Sequence, residues 1–140
     1  PLLEAGSAKL LGWVGDETPW QTAVAFTQPK MIAQHKATVE AFLRGLKAGA
    51  RFYHDAFTGS DEKPKDGPTA PEATAIIAKY TGLTPEQVKA SLAHVDAQER
   101  VDVKDIIHQV EWFQSQKMVK EDVKPAAVMD GGLIVPIPGR

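Results

Sequence analysis

Two indoles, two carboxylates and a carboxamide stand close together near the start of the chain, in the stretch GWVGDETPWQ over residues 12–21. A cleft that binds a small molecule needs aromatic faces and a few polar groups held in fixed directions. The candidate ligand-binding residues are therefore Trp13, Asp16, Glu17, Trp20 and Gln21. The alternative is that both indoles pack in the core or at a hinge and that the two acids form a solvated turn.

The same sequence gives little support to catalysis or to a metal site. Asp16 and Glu17 are adjacent, so on an extended segment their side chains point to opposite faces, a poor geometry for a general acid and base pair. No two histidines have the spacing that brings two imidazoles to one helix face; the histidines are His35, His54, His94 and His108. No phosphate-binding or nucleophile-elbow motif occurs. We expect no catalytic residue, no metal ion and no cofactor.

Composition narrows the class of protein further. The chain has 140 residues, of which 43% are hydrophobic, enough to close one core. Its 16 basic and 18 acidic residues are interspersed, without the basic stripe that neutralises a run of phosphates, so nucleic acid is not an expected partner. Cysteine is absent, which excludes disulfides and thiolate chemistry and is compatible with either a cytosolic or a periplasmic address.

Residues 1–14 lack secretory-signal features and an initiator Met, so we expect earlier processing or truncation.

The elements that would position the candidate loop are short strands followed by helices. Apolar runs at residues 9–14 and 22–27 predict a strand on each side of the polar loop. From Thr38 the apolar residues follow a helical period, which predicts a long amphipathic helix to Phe57. Its predicted apolar face comprises Val39, Phe42, Leu43, Leu46, Ala50, Tyr53 and Phe57.

Four further segments carry helix or strand signals. A polar loop at residues 58–69 is followed by a helix over 71–80 with Gly82 as its stop, and Thr84 then begins a capping box with a proline at the first helical position. Asp102 is a cap for a helix reaching about residue 118, with Trp112 off its apolar stripe. The tail, residues 131–140, contains one strand-like run bounded by prolines.

The long helix also carries small residues at four-residue spacing, namely Ala41, Gly45 and Gly49. Such a strip lets another backbone approach closely, which predicts tight packing against a neighbouring element. A membrane-dimer motif has similar spacing, but the charges interspersed on the segment, Arg44, Lys47 and Arg51, favour packing in a soluble protein.

Five segments, in order and at plausible separations, resemble the C-terminal stretch of the periplasmic substrate-binding proteins of bacterial ABC importers of the nitrate, sulfonate, taurine or thiamine-precursor type. The segments are LLGWVGDETPWQ, VEAFLRGLKAGARFYHDAF, IIAKYTGLTPEQVKASL, VDVKDIIHQVEWFQSQKMVK and VMDGGLIVPIPGR. The resemblance spans nearly the whole chain. No segment is an invariant catalytic signature, and the specificity lies in their ordered combination.

The resemblance implies an α/β fold of two lobes, as in type II-like binding proteins, with a small solute held between the lobes by hinge closure. This chain is much shorter than a complete member, so we expect a helix-rich C-terminal part with few short strands. By analogy, residues 1–20 end the second lobe and form the hinge, and residues 21–140 return to the first lobe. Such a part is expected to expose apolar surface, for instance on one face of the helix over residues 39–57.

The function that the resemblance implies is non-enzymatic binding of nitrate, a sulfonate, taurine or a pyrimidine. The solute is then delivered to an ABC permease in the membrane, which gives a periplasmic or extracytoplasmic address. One alternative is an enzyme of thiamine-pyrimidine synthesis on the same scaffold. Another is a small helical interaction domain that uses the strip of small residues for a partner helix.

Overall fold

The computed structural model describes residues 2–3, 5–12, 17–18 and 20–139, and the chain divides into two compact units. Unit 1 comprises Pro1–Ala25, Val101–Asp130 and Pro136–Arg140, and unit 2 comprises Phe26–Arg100 and Gly131–Val135. The elements in the described part are, in chain order, α1 (Pro29–Phe57), α2 (Ala70–Thr81), α3 (Pro85–Ala90), β1 (Arg100–Val101), α4 (Val103–Ser115), a 3₁₀ helix (Pro125–Val128) and β2 (Val135–Pro136). The prediction of a helix-rich chain with few short strands is confirmed.

Strands are fewer and shorter than the sequence predicted. In the described residues the sheet has two parallel strands, β1 and β2, and the Ile137 N–H donates to the Val101 carbonyl over 2.9 Å. The prediction of strands at residues 9–14 and 22–27 is wrong for the residues that the structure describes, because 9–12 and 22–27 form no strand. A strand needs a neighbouring strand for its hydrogen bonds, and these apolar runs have none among the described residues.

Helix α1 is longer than predicted and begins at Pro29 rather than at Thr38. Proline is favoured at this position because its φ angle is already helical and its missing N–H needs no partner. The backbone of His35 departs from helical geometry, with φ at −136° and ψ at 39°, and marks a kink. The buried residues are Val39, Ala50, Ala56 and Phe57, whereas Phe42, predicted on the apolar face, is 62% exposed.

The core of unit 2 forms where the end of α1 meets α2. Its buried members are Ala56, Phe57, Ala70 and Ala73, and the side chains packed around them are Phe52, Tyr53, Ile77 and Leu92. The Tyr53 ring meets the Phe57 ring edge to face with 5.0 Å between centroids. Its hydroxyl donates to the Ala93 carbonyl over 2.9 Å and accepts from the Ala93 N–H over 3.1 Å. Tyr53 therefore ties the segment after α3 to α1, and burial raises the pKa of its hydroxyl.

The polar loop between α1 and α2 is held by backbone hydrogen bonds at its base. The Gly67 N–H donates to the Ala56 carbonyl over 2.8 Å, and Thr58 forms an antiparallel bridge with Pro64. A Cβ atom at Gly67 would lie 2.5 Å from the Asp55 carbonyl oxygen, so a side chain here would push the loop off the helix. Only glycine lets the loop return this closely to α1.

The helix ends of α2 and α3 form as the sequence predicted. Gly82 follows α2 in the left-handed conformation, with φ at 73°. Thr84 caps α3, since its hydroxyl accepts from the Gln87 N–H over 3.3 Å while the Gln87 side chain accepts from the Thr84 N–H over 3.0 Å. This reciprocal pair is the predicted capping box.

Helix α4 starts at the predicted cap but ends earlier than residue 118. The Asp102 carboxylate accepts from the Asp105 N–H over 3.0 Å, and the helix ends at Ser115. The Gln114 side chain donates to the carbonyls of Lys120 and Val123 over 2.9 and 2.7 Å. Those bonds stabilise a turn where helix was expected beyond residue 115.

We predict that Thr74→Val stabilises the chain. Thr74 is buried in α2, and among the described residues its hydroxyl is a buried side-chain group without a hydrogen-bond partner. An unsatisfied buried hydroxyl is costly, so its replacement by a methyl group should raise the free energy of unfolding by about 1 kcal/mol. Urea denaturation measures this change. Thr81→Val is the control, because that hydroxyl donates to the Ile77 carbonyl over 2.8 Å and should not give the same gain.

We also predict a low pKa for Asp96. Burial alone would raise this pKa, but hydrogen bonds from the Arg100 side chain, from the N–H groups of Arg100 and Gln98, and the Arg100 charge lower it from 3.8 to about 2. The folded pKa is below the unfolded one, so the stabilisation is present above pH 3.8 and is lost as the pH falls toward 2.

Nuclear magnetic resonance titration of the Asp96 carboxyl carbon tests this prediction. Arg100→Gln should move the midpoint back toward 3.8. Arg51→Gln, a change of an exposed cation on α1, should leave it in place. A midpoint near the ordinary value in the unmodified protein would contradict the prediction.

Candidate functional site

The predicted site residues fall into three groups. Trp13 and Asp16 lie outside the described residues. Glu17 and Trp20 are exposed, Trp20 to 36%, and Gln21 is half-buried. The three described residues belong to unit 1. The Trp20 indole and the Glu17 carboxylate are thus both accessible on one short stretch of chain.

Gln21 is fixed to the first turns of α4 by both its backbone and its side chain. Its N–H donates to the Asp105 carboxylate, and its carbonyl accepts from the Gln109 side chain over 3.2 Å. Its side-chain oxygen accepts from the Asp102 N–H over 3.2 Å, and its side-chain nitrogen donates to the Ala23 carbonyl over 3.0 Å. Every polar group of Gln21 is thus engaged within unit 1.

The hydrogen bonds that join Gln21 to Asp102, Asp105 and Gln109 are called the Gln21 anchor below. They depend on the residue spacing at the start of α4. Asp105 and Gln109 are four residues apart, which places them on one helix face, and the Gln109 side chain donates to the Asp105 carboxylate over 2.8 Å. Asp102 and Asp105 are each only 8% exposed. Carboxylates are favoured at a helix N-terminus by the unpaired N–H groups and the helix dipole. A buried carboxylate also needs donors, and Gln21 provides one of them.

The anchor gives Gln21 a positioning role that sequence reasoning missed. Asp102, Asp105 and Gln109 form a polar row at helical spacing, but such a row is typical of a solvated helix face, so the sequence carried no specific signal for this contact. The hydrogen bonds fix the backbone one residue away from Trp20. The prediction that Gln21 itself contacts a ligand stays a prediction, and a ligand would have to share or replace one of its present partners.

Further aromatic and titratable side chains meet one another in the described chain. Trp112 is 44% exposed on α4 and meets the Phe113 ring edge to face with 5.1 Å between centroids. In unit 2 the His54 ring lies 3.2 Å from the Glu62 carboxylate, with the His94 ring at 6.4 Å between centroids. The described residues contain no cluster of three His, Asp or Glu side chains placed to hold a metal ion. None of the helices described here is long and apolar enough to cross a membrane.

Comparisons of the chain with protein-family profiles, with curated proteins and with solved structures gave no match. Similarity to known proteins therefore does not assign its function.

We predict that Asp105→Ala frees the segment around Gln21. The change leaves the Gln21 N–H and the Gln109 side chain without their shared acceptor, so unfolding free energy should fall by about 2 kcal/mol. Hydrogen exchange at the Gln21 amide should become at least about tenfold faster. Asp122→Ala, at an exposed acid of the same unit, is the control and should change neither quantity. Equal exchange rates in both variants would show that the anchor does not hold the segment.

Proposed function

We propose that the chain is part of the solute-binding component of an ABC importer. It would bind nitrate, a sulfonate, taurine or a pyrimidine without chemical change and deliver it to a membrane permease. The corresponding location is periplasmic or extracytoplasmic. The observation that carries the proposal is the anchored Gln21 segment, which holds a partly exposed indole at Trp20 next to a stretch that also bears Glu17.

The anchor supports binding because it reduces the entropy that a ligand contact must overcome. A backbone that is already fixed, as it is at Gln21, loses less freedom when a ligand binds beside it than a backbone that the ligand must order. An indole offers a large rigid surface with one N–H donor, and it suits both flat rings and short apolar chains. Glu17 is exposed and offers a carboxylate, which suits the amino group of taurine or of an aminopyrimidine.

The proposed protein has two α/β lobes, with residues 1–20 ending the second lobe and forming the hinge and residues 21–140 returning to the first. Uncovered surface on α1 supports it. Phe42 is 62% exposed, and a Cβ atom added at Gly45 or Gly49 meets nothing within 4 Å. Those residues and Ala41 lie at helical spacing, so they form one uncovered face of small and aromatic residues. Faces of this kind are usually covered by other protein.

The same uncovered face favours a second candidate function, a helical interaction domain. In that case the cover would be a helix from another protein instead of further parts of the importer component. The candidates differ in what they bind, a small solute or a macromolecule, so one set of measurements separates them.

We predict that the full-length gene product is stabilised by one member of a panel of nitrate, taurine, an alkanesulfonate and an aminopyrimidine. At about 100 times the dissociation constant, a ligand adds about 2.7 kcal/mol of stability, which raises the melting temperature by several degrees. Trp20→Ala should weaken that binding by about tenfold or more, because it removes the stacking surface. Trp112→Ala is the matched control, since it removes an exposed indole from the same unit and should leave the affinity within about twofold.

Any of the following outcomes would contradict the proposal. A folded protein that no solute stabilises, or equal losses in the two tryptophan variants, would remove the site at Trp20. Turnover of the solute would indicate the enzyme of thiamine-pyrimidine synthesis. A stoichiometric protein complex without solute binding would favour the interaction domain.

A further inference from the structure

Unit 2 contains an open hollow of about 250 Å³ between α1 and the segment that leads into β2. The residues that line it are Glu40, Leu43, Arg44, Lys47, Gly132 and Leu133. All of them belong to the same compact unit, and none belongs to the segment around Trp20 and Gln21. The hollow is thus a separate feature from the site discussed above.

The charges around the hollow are unbalanced. Glu40 lies 3.8 Å from the Lys36 ammonium group, one turn away on α1. Arg44 and Lys47 are exposed, and neither has an ion pair or a hydrogen bond within the part of the chain that the structure describes. Their three-residue spacing puts both cations on one face of the helix. Glu40 is the one acid among the lining residues, so the lining carries two unpaired cations and a net positive charge.

The remaining lining is apolar and leaves space. Leu43 and Leu133 are half-buried, and Gly132 contributes no side chain. A site with an apolar wall and a cationic edge matches a ligand with a short apolar chain and an anionic head. Its volume is below the roughly 300–1,000 Å³ typical of pockets for drug-sized ligands, which indicates a smaller molecule.

We propose that this hollow binds a small organic monoanion, a carboxylate or sulfonate with a short alkyl chain. The planar Arg44 guanidinium can donate two parallel hydrogen bonds to either head group, and Lys47 adds a second positive charge. The alkyl chain lies against Leu43 and Leu133. Glu40 lines the same hollow and repels a second negative charge, so the site selects monoanions over dianions. Binding at the hollow involves unit 2 alone and does not depend on the proposed transport function.

The first test is titration of the full chain with 1-butanesulfonate at low ionic strength, followed by two-dimensional amide NMR. We expect saturable binding, with the largest shift changes at Leu43, Gly132 and Leu133. Each methylene added between butanesulfonate and hexanesulfonate should tighten binding roughly threefold. Butanoate should bind as well, whereas inorganic sulfate and 1-butanol should bind at least about tenfold more weakly, because each lacks half of the recognised chemistry.

The second test uses charge-neutral variants. The double change Arg44→Gln and Lys47→Gln should weaken butanesulfonate binding by about tenfold or more, since it removes both cations. Arg51→Gln removes an exposed cation from the same helix outside the hollow and should leave the affinity within about twofold. Circular dichroism melting confirms that both variants fold.

Two results would overturn the inference. One is equal affinity in the double variant and the control, or no saturable binding at all. The other is a set of shift changes centred on Trp20 and insensitive to the two cations. That second pattern would support the proposed solute site while removing the hollow, so failure of the two ideas can be told apart.

Discussion

Unit 1 depends on the hydrogen bonds between Gln21 and the first turns of α4. Two acidic side chains, Asp102 and Asp105, are nearly buried there, and a buried carboxylate is tolerated only when donors surround it. The helix N-terminus, Gln109 and the backbone of Gln21 supply those donors. Since every polar group of Gln21 is hydrogen-bonded, the backbone at this residue is fixed to the start of α4. The neighbouring Trp20 is 36% exposed.

Unit 2 is stabilised differently, by close packing of small residues. Alanines at the end of α1 and the start of α2 let the two helices approach, and Phe57 fills the space between them. The Tyr53 ring packs against this core, and its hydroxyl is hydrogen-bonded to the backbone N–H and carbonyl of Ala93. Gly67 allows the loop to pass directly over the end of α1. The unit therefore tolerates a long polar loop because the loop's two ends are tied to the same helix.

The two proposed binding features follow from what these two units leave exposed. In unit 1 the anchor occupies the polar groups and leaves an indole accessible, which favours stacking on a flat or short apolar solute. In unit 2 the packing occupies one face of α1 and leaves cations and small residues on the others. A protein that covers the face around Gly45 could bind together with a monoanion at the hollow. Both can be bound at once only if the covering protein leaves Arg44 accessible.

Short-range residue patterns account for the local features of this protein. The capping box at Thr84, the left-handed stop at Gly82 and the cap at Asp102 each depend on residues within four positions, so spacing alone predicts them. The tertiary structure decided the rest. The apolar run at residues 22–27 has the composition of a strand but no strand beside it. The bond between Gln21 and Asp105 joins residues 84 positions apart, and a bond over that separation forms only when the fold brings its two partners together.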